Sequence, residues 1–474
     1  MKLKIIILWC LANCFSQIAY SQSWLSSMSA EEGNINAGLE PAGEHSTHVG
    51  KFAGYLSTQR NAQEGTGNHN TFVGSHTGYS DYAGNYNTFL GNSAGYSNTS
   101  GSFNNLIGYR AGYSATIGVE NNFMGMEAGY YNTSGSYNIF IGHAAGYKNS
   151  TAHYNTFIGH SAGYENTTGT ENSFLGRRSG YSNTSGTNNS FVGSSAGFSN
   201  TTGKYNTANG SNSLFLNSLG DYNTANGYRA LFNNAGSYNT AYGVDALYSN
   251  TTGTNNTATG IDALSLNAIG SNNTVTGLNA MFKNVSGSNN TAIGRQAGFG
   301  SLGSGNIYIG NNAGLKETGS NKLYIANDEA NTLIYGDIAS RQLLFGKADP
   351  TGYIFKGNRT LNVIGGVLSD SVRVALSSNW ADYVLADDYK LRTLQELNNY
   401  IKINKHLPGI PTETEVALEG IELGAMNAKL LEKIEELTLY ILHQQKQIDL
   451  QQKNQLIFQN ELNELKKKIR KQSN

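Results

Sequence analysis

Between residues 67 and 315 the chain runs through one short cycle again and again. A polar residue leads into a brief apolar stretch, a glycine follows, then small and aromatic residues, then a polar turn. At 155–169 the cycle reads Asn-Thr-Phe-Ile-Gly-x-x-Ala-Gly-Tyr-x-Asn-Thr-Thr-Gly. The apolar stretches are bounded by turn formers and carry no 3.6-residue periodicity, so they predict short β-strands, not helices. One supersecondary unit per fixed period predicts a stacked, quasi-one-dimensional array.

The strictest column is asparagine, at Asn70, Asn87, Asn104, Asn121, Asn138, Asn155, Asn172, Asn189, Asn206, Asn223, Asn239, Asn256, Asn273, Asn290 and Asn306. Every step is 17 residues except Asn223 to Asn239 and Asn290 to Asn306, which are 16. A glycine follows each asparagine by four residues, from Gly74 to Gly310, and supplies backbone conformations that corners demand. Recurring asparagine predicts a structural ladder, each side-chain amide bonding its equivalent one rung away. Nine residues after the asparagine stands an aromatic, from Tyr79, Tyr96 and Tyr113 to Phe282 and Phe299; only Ser265 and Leu315 depart. Rings one rung apart, at roughly 4.8 Å, form an offset file.

Two further columns exchange volume. In the first eight repeats a large residue two after the asparagine accompanies a glycine eight after it: Phe72 with Gly78, Phe157 with Gly163, Phe191 with Gly197. The next five reverse the sizes: Ala208 with Leu214, Ala225 with Leu231, Ala241 with Leu247, Ala258 with Leu264, Val275 with Met281. One filled space produces such a swap, because cores tolerate volume-conserving exchanges best. The two positions therefore face each other across the layer. Ala292 with Gly298 breaks the rule. A 17-residue coil suits a flat, two-stranded roll with a thin core; fifteen rungs span roughly 70 Å at strand spacing. So thin a core favours side-by-side association of identical chains.

Asn-Thr-Phe-Ile-Gly at 155–159 and Asn-Thr-Ala-Ile-Gly at 290–294 resemble the head repeats of trimeric autotransporter adhesins, the YadA-like β-roll. The resemblance covers about half the chain and implies a surface-exposed, trimeric, adhesive fibre. Those repeats are usually somewhat shorter than 17 residues. This chain also carries no C-terminal membrane β-barrel strand set.

Past residue 316 the register fades into strand-like pieces at Lys322–Ala326, Thr332–Asp337, Gln342–Gly346, Tyr353–Lys356 and Arg359–Ile364, which read as a β shaft. Trp380 to Val384, Leu391 to Asn399, His406 to Pro411 and Leu423 to Asn427 then resemble a C-terminal module common in large secreted Bacteroidetes proteins. That module often follows tail-fibre-like repeats and implies no established activity. Last comes a seven-residue repeat with Ile434, Ile441, Ile448, Gln455, Leu462 and Ile469 at one seam position. Leu423, Leu430, Leu437, Gln444, Gln451, Phe458 and Leu465 hold the other. This predicts a coiled coil whose glutamines specify register or oligomer state. Isoleucine on one side with leucine on the other favours two strands by itself; the resemblance of the head favours three.

Charged residues make up 14 % and the formal net charge is −1, which argues against nucleic acid as a partner. Lys2 and Lys4, the apolar run Ile5–Phe15 and the small-residue site Ala19-Tyr20-Ser21 predict a secretory signal peptide, too short to anchor in a membrane. A lipoprotein reading at Leu11-Ala12-Asn13-Cys14 is the weaker alternative. Cleavage after Ser21 removes Cys10 and Cys14, the only cysteines. No later stretch is apolar enough to span a bilayer as a helix.

Candidate chemistry is sparse. His143 and His160 share a column as a potential metal or pH-sensitive pair, but exposed polar rung residues are the better reading. Triplets such as Asn98-Thr99-Ser100 match glycosylation sequons, although turn chemistry accounts for them more simply. Ser369-Asp370 resembles the start of a self-cleaving tail-spike chaperone, but the lysine expected within Ser371–Asn379 is missing. No catalytic, metal or cofactor residue is assigned.

The sequence therefore predicts a mainly β protein. Its parts are a signal peptide (1–21), a linker with a degenerate repeat (22–66), a β-roll head (67–315), a shaft (316–378), a connector module (379–420) and a coiled coil (421–474). The expected function is a secreted or cell-surface structural fibre, adhesin-like, homotrimeric and non-enzymatic, with a surface glycan or protein as ligand. The alternatives are a tail-fibre-type assembly factor and an ice-binding solenoid. The last rests on a column holding Thr71, Thr88, Thr156, Thr207, Thr224 and Thr257.

Overall fold

A computed structural model describes residues 45–59, 67–347, 350, 353–355, 359–374 and 380–472, with the backbone of Ile35–Ala37. The expected signal peptide lies outside these residues. The chain falls into two compact units, one ending at Gly366 and the other beginning at Val367.

The first unit is a β-solenoid. Strand β1 (Ile35–Ala37) and β2 (Thr47–Val49) precede fifteen repeat strands, β3 (Thr71–Val73) through β17 (Ile307–Ile309). β18 (Lys322–Ala326), β19 (Thr332–Asp337), β20 (Gln342–Phe345) and β21 (Leu361–Val363) follow. From β2 to β18 all neighbours pair in parallel with like opposite like: Phe157 meets Phe174, Ala208 meets Ala225, Tyr308 meets Tyr324. The degenerate repeat supplies a rung strand, because Thr47–Val49 pairs with Thr71–Val73 and Ser46 takes the asparagine's place, its Oγ accepting the Asn70 N–H at 3.1 Å.

Each rung contributes a single three-residue strand. The opposite side is made of turns, because residues six and eight after the asparagine adopt left-handed backbone, as at Ser161 (φ 55°) and Gly163 (φ 57°), which no extended strand allows. Rungs still bond to each other there: Gly163 N–H donates to the Ser179 carbonyl and Glu165 N–H to that of Tyr181, both at 2.9 Å.

Between the two sides lies the thin core. A Cβ built on Gly163 would stand 2.5 Å from the Phe157 ring, and one on Gly95 2.5 Å from that of Phe89, so these columns do face each other. Where the sizes reverse, Leu214, Leu231, Leu247, Leu264 and Met281 keep the positive φ of the glycines they replace, at 47–53°. Left-handed backbone costs a side-chain-bearing residue about 1–2 kcal/mol, and burying each leucine offsets it, at about 1.5–3 kcal/mol. The exception at Ala292 and Gly298 has a cause one rung away. The Tyr308 ring lies between Gly298 and Gly314, 2.4 Å from a Cβ built on either, and fills the space that both small residues of the previous rung leave.

Both ends of the stack reverse direction. β1 is antiparallel to β2, and β19 is antiparallel to both β18 and β20. Tyr324, Tyr335 and Leu344 continue the core beyond the last repeat.

In the second unit, a 3₁₀ turn at Ala381–Leu385 is followed by α2 (Leu394–Asn404), α3 (Glu413–Glu419) and the 50-residue α4 (Leu423–Gln472); the label α1 belongs to the short helix Tyr55–Gln59 of the first rung. Thr393 with Glu396 and Thr412 with Glu415 form capping boxes that satisfy the first N–H groups of α2 and α3.

Candidate binding face

Two interior ladders hold the rungs rigid. All fifteen asparagines of the first ladder are at most 3 % exposed, so they form scaffold and not surface. Asn87 is representative: its Oδ1 accepts the Asn104 N–H at 3.0 Å and its Nδ2 donates to the Gly101 carbonyl at 2.8 Å. Direct amide-to-amide bonds occur in only part of the column, as from Asn121 to Asn104 (3.1 Å) and Asn273 to Asn256 (3.0 Å). At every rung the next asparagine's backbone N–H donates to this oxygen, whether or not its side-chain amide also reaches it, as at Asn121 and Asn155.

A second ladder, eleven residues further on, escaped the sequence reading. Asn166 Nδ2 donates to Asn149 Oδ1 at 2.8 Å and to the Gly169 carbonyl at 3.0 Å, and the same pattern recurs at Asn183, Asn200 and Asn267. The sequon-like Asn98 belongs to this file and is fully buried. The column is interrupted by Ala115 and Ser301. Where it is interrupted an oxygen is orphaned: Asn98 Oδ1 and Asn284 Oδ1, each one rung before the gap, have no hydrogen-bond partner among the described residues.

The ladder begins at Asp81, also buried. Burial pushes its carboxyl up to about 7, against hydrogen bonds from the Gly84 N–H, Asn98 and Asn87 that favour the charged form. One rung earlier in the core, His48 takes the phenylalanine column and stacks on Phe72 at 4.9 Å. Burial lowers its imidazole to about 4, and neither ring nitrogen has a partner among the described residues.

On the turn side, twelve rings from Tyr55 to Tyr248 form one unbroken stack with centroids 4.9–5.2 Å apart. Partial burial raises the phenols of Tyr96, Tyr130, Tyr147 and Tyr164 in this file, Tyr147 to about 12, with the nearby Tyr131 and Glu127 adding to its shift. Charged side chains pair between rungs beside it: Arg229 holds Asp245 bidentately at 2.8 and 2.6 Å, and Lys148 meets Glu165 at 2.7 Å.

The strand side carries the flat face. Residues just before and just after each ladder asparagine point outward, and so does the third strand residue. At Tyr205, Tyr222 and Tyr238 the rings stack at 4.9 and 5.1 Å while remaining 48–57 % exposed. Tyr86 with Phe103 and Tyr137 with Tyr154 form similar pads, each at 5.0 Å. Glu120, Glu171 and Asn188 separate the pads, which is why the file was hard to see in sequence. Beside it runs the threonine column. Thr207, Thr224, Thr240, Thr257, Thr274 and Thr291 stand in six consecutive, in-register strands. The face is thus a lattice of aromatic, hydroxyl and amide files with one repeat per strand spacing.

His143 and His160 stack at 4.9 Å and 26° between planes, an arrangement that sets ring face to ring face and does not converge their nitrogens. No group of three or more His, Cys, Asp or Glu gathers as a metal site among the described residues. Ser369 bonds the Ser371 carbonyl at 2.8 Å on an exposed segment. Leu430, Ile434, Leu437, Ile441, Gln444 and Ile448 lie along one side of α4, all in contact with solvent. No helix among the described residues is long and apolar enough to cross a membrane. No family model matches the chain, and no match is found among curated proteins or solved structures.

Proposed function

We propose that this protein is a secreted or cell-surface structural fibre that adheres through its strand face, acting as a homotrimer without catalysis. The observation that carries the reading is the in-register lattice of Tyr205, Tyr222 and Tyr238 beside the threonine run, backed by two buried amide ladders. A face that cannot bend and repeats at strand spacing suits an extended or surface-bound ligand with its own short repeat, such as a glycan chain. Aromatic rings supply apolar contact and the flanking hydroxyls and amides supply hydrogen bonds. The test is retention of residues 22–474 on insoluble polysaccharides, alongside sedimentation analysis. Retention that falls when Tyr205, Tyr222 and Tyr238 are changed to serine supports the reading. Equal retention of both proteins, or a stable monomer, removes it.

The six consecutive threonines favour a second reading, ice binding, over the sparser column apparent from sequence. Thermal hysteresis that Thr257→Val and Thr274→Val leave intact would count against it, and absence of hysteresis would end it.

A further inference from the structure

Among the described residues, helix α4 is engaged on one side only. Tyr383 donates to Glu432 at 2.6 Å, Tyr389 donates to Glu436, and Tyr440 donates to the Arg392 carbonyl at 2.6 Å. Val384 and Ala381 are buried beneath this contact. At 100° per residue, Glu432 and Glu436 point to the back of the helix, and Tyr440 lies on the flank beside the seam. Ile434, Leu437 and Ile441 are left 57–59 % exposed. The segment 381–392 therefore grips the helix without covering its apolar stripe.

We propose that this stripe packs on the same stripe of further copies of this chain, parallel and in register, with segment 381–392 as a collar outside the bundle. Three features choose that occupant and its direction. The stripe recurs at heptad spacing over the length of α4, the pattern that inserts side chains between those of an equivalent helix. Parallel, in-register copies place Gln444, Gln451 and Gln455 each against itself, amide to amide, whereas an antiparallel pair centred on the same stripe sets Gln451 against Ile448. Glu461, just before seam residue Leu462, and Lys466, just after Leu465, are five residues apart. Flanking charges so spaced meet between parallel neighbours and fix orientation.

The proposal rests on the fibre reading only in requiring like chains to associate. Its test uses the full chain with Cys10→Ser and Cys14→Ser, carrying one new cysteine at a time. Under mild oxidation Gln451→Cys is expected to give intermolecular disulfide, while Lys453→Cys, on the back of the helix, gives none. Leu437→Asp with Ile441→Asp abolishes the crosslink through position 451 and lowers the sedimenting mass. Tyr383→Phe with Tyr389→Phe leaves the crosslink in place, because the collar is outside. Equal crosslinking at 451 and 453 overturns the proposal, as does faster linkage between Leu437→Cys and Leu462→Cys chains in a mixture. Polymer retention by a protein that fails to crosslink at 451 removes the seam assignment alone.

Discussion

The ring of Phe157 occupies the space that a side chain on Gly163 would need, 2.5 Å from its first carbon. The same geometry recurs in every rung from Gly78 to Gly197, each glycine blocked by its own phenylalanine or leucine.

Gly163→Leu alone should therefore destabilise the solenoid by more than about 3 kcal/mol, overpacking and left-handed strain acting together. Phe157→Ala alone should cost about 3–5 kcal/mol. The double variant should recover most of both losses, since Ala208 with Leu214 is the same pair in a native rung, adjoining the Phe191 rung. A double-mutant cycle by chemical denaturation checks this; additive losses would contradict the shared space.

The gap at Ala115 leaves Asn98 Oδ1 without a donor. Ala115→Asn should close the second ladder and raise stability by about 1 kcal/mol. Asn183→Ala in the middle of that ladder should lower it by about 1–3 kcal/mol, leaving its neighbours unpaired. Thermal unfolding of the two variants should bracket the parent; a destabilised Ala115→Asn would show that the rung is closed to a side chain there.

The two buried titrating groups of the first rungs act in opposite directions. Asp81 is raised from 3.8 to about 7, so the folded state holds an extra proton between those values and stability falls as pH rises through them. His48 is lowered from 6.5 to about 4, so the unfolded state holds the extra proton there and stability falls as pH drops from 6.5. Each slope approaches about 1.4 kcal/mol per pH unit, and over the shared window they oppose. His48→Phe should unmask a decline from pH 4 to 7, and Asp81→Asn a rise from pH 4 to 6.5. Hydrogen exchange of residues 46–90 against pH reads both; two parallel profiles would refute the assignment.

Exposed pads and interior ladders should separate cleanly. Tyr222→Ser should change the unfolding midpoint little, a surface change worth about 0.5 kcal/mol or less, yet reduce retention on any polymer that retains the parent protein. Loss of folding in that variant would show that the pad is structural.

The stacking direction and the facing of the two exchanged columns were legible because each is a comparison of one repeat with the next. Ala292 with Gly298 was opaque for a related reason: its filling ring, Tyr308, belongs to the following rung, and comparison within a rung misses it. The second amide file was visible as Asn-Thr-Thr-Gly but looked like turn chemistry, since sequence does not separate an asparagine that closes its own turn from one that also bonds its neighbour. The 17-residue coil length predicts a second strand on the turn side; rung-to-rung bonds do run there, but the left-handed residues that bend it, Ser161 and Arg178 among them, carry no glycine signal.

The reversed strands at the two ends bear on growth. A parallel stack with open edges would accept another molecule's rung and lengthen without limit, but β1 presents the opposite polarity at one edge, and at the other the reversed β19 breaks the parallel order before β20 and β21 close the stack. Reach is then written in the gene: inserting or removing whole 17-residue blocks would set how far the tip stands from its base, as notches set a ruler, without touching either terminus.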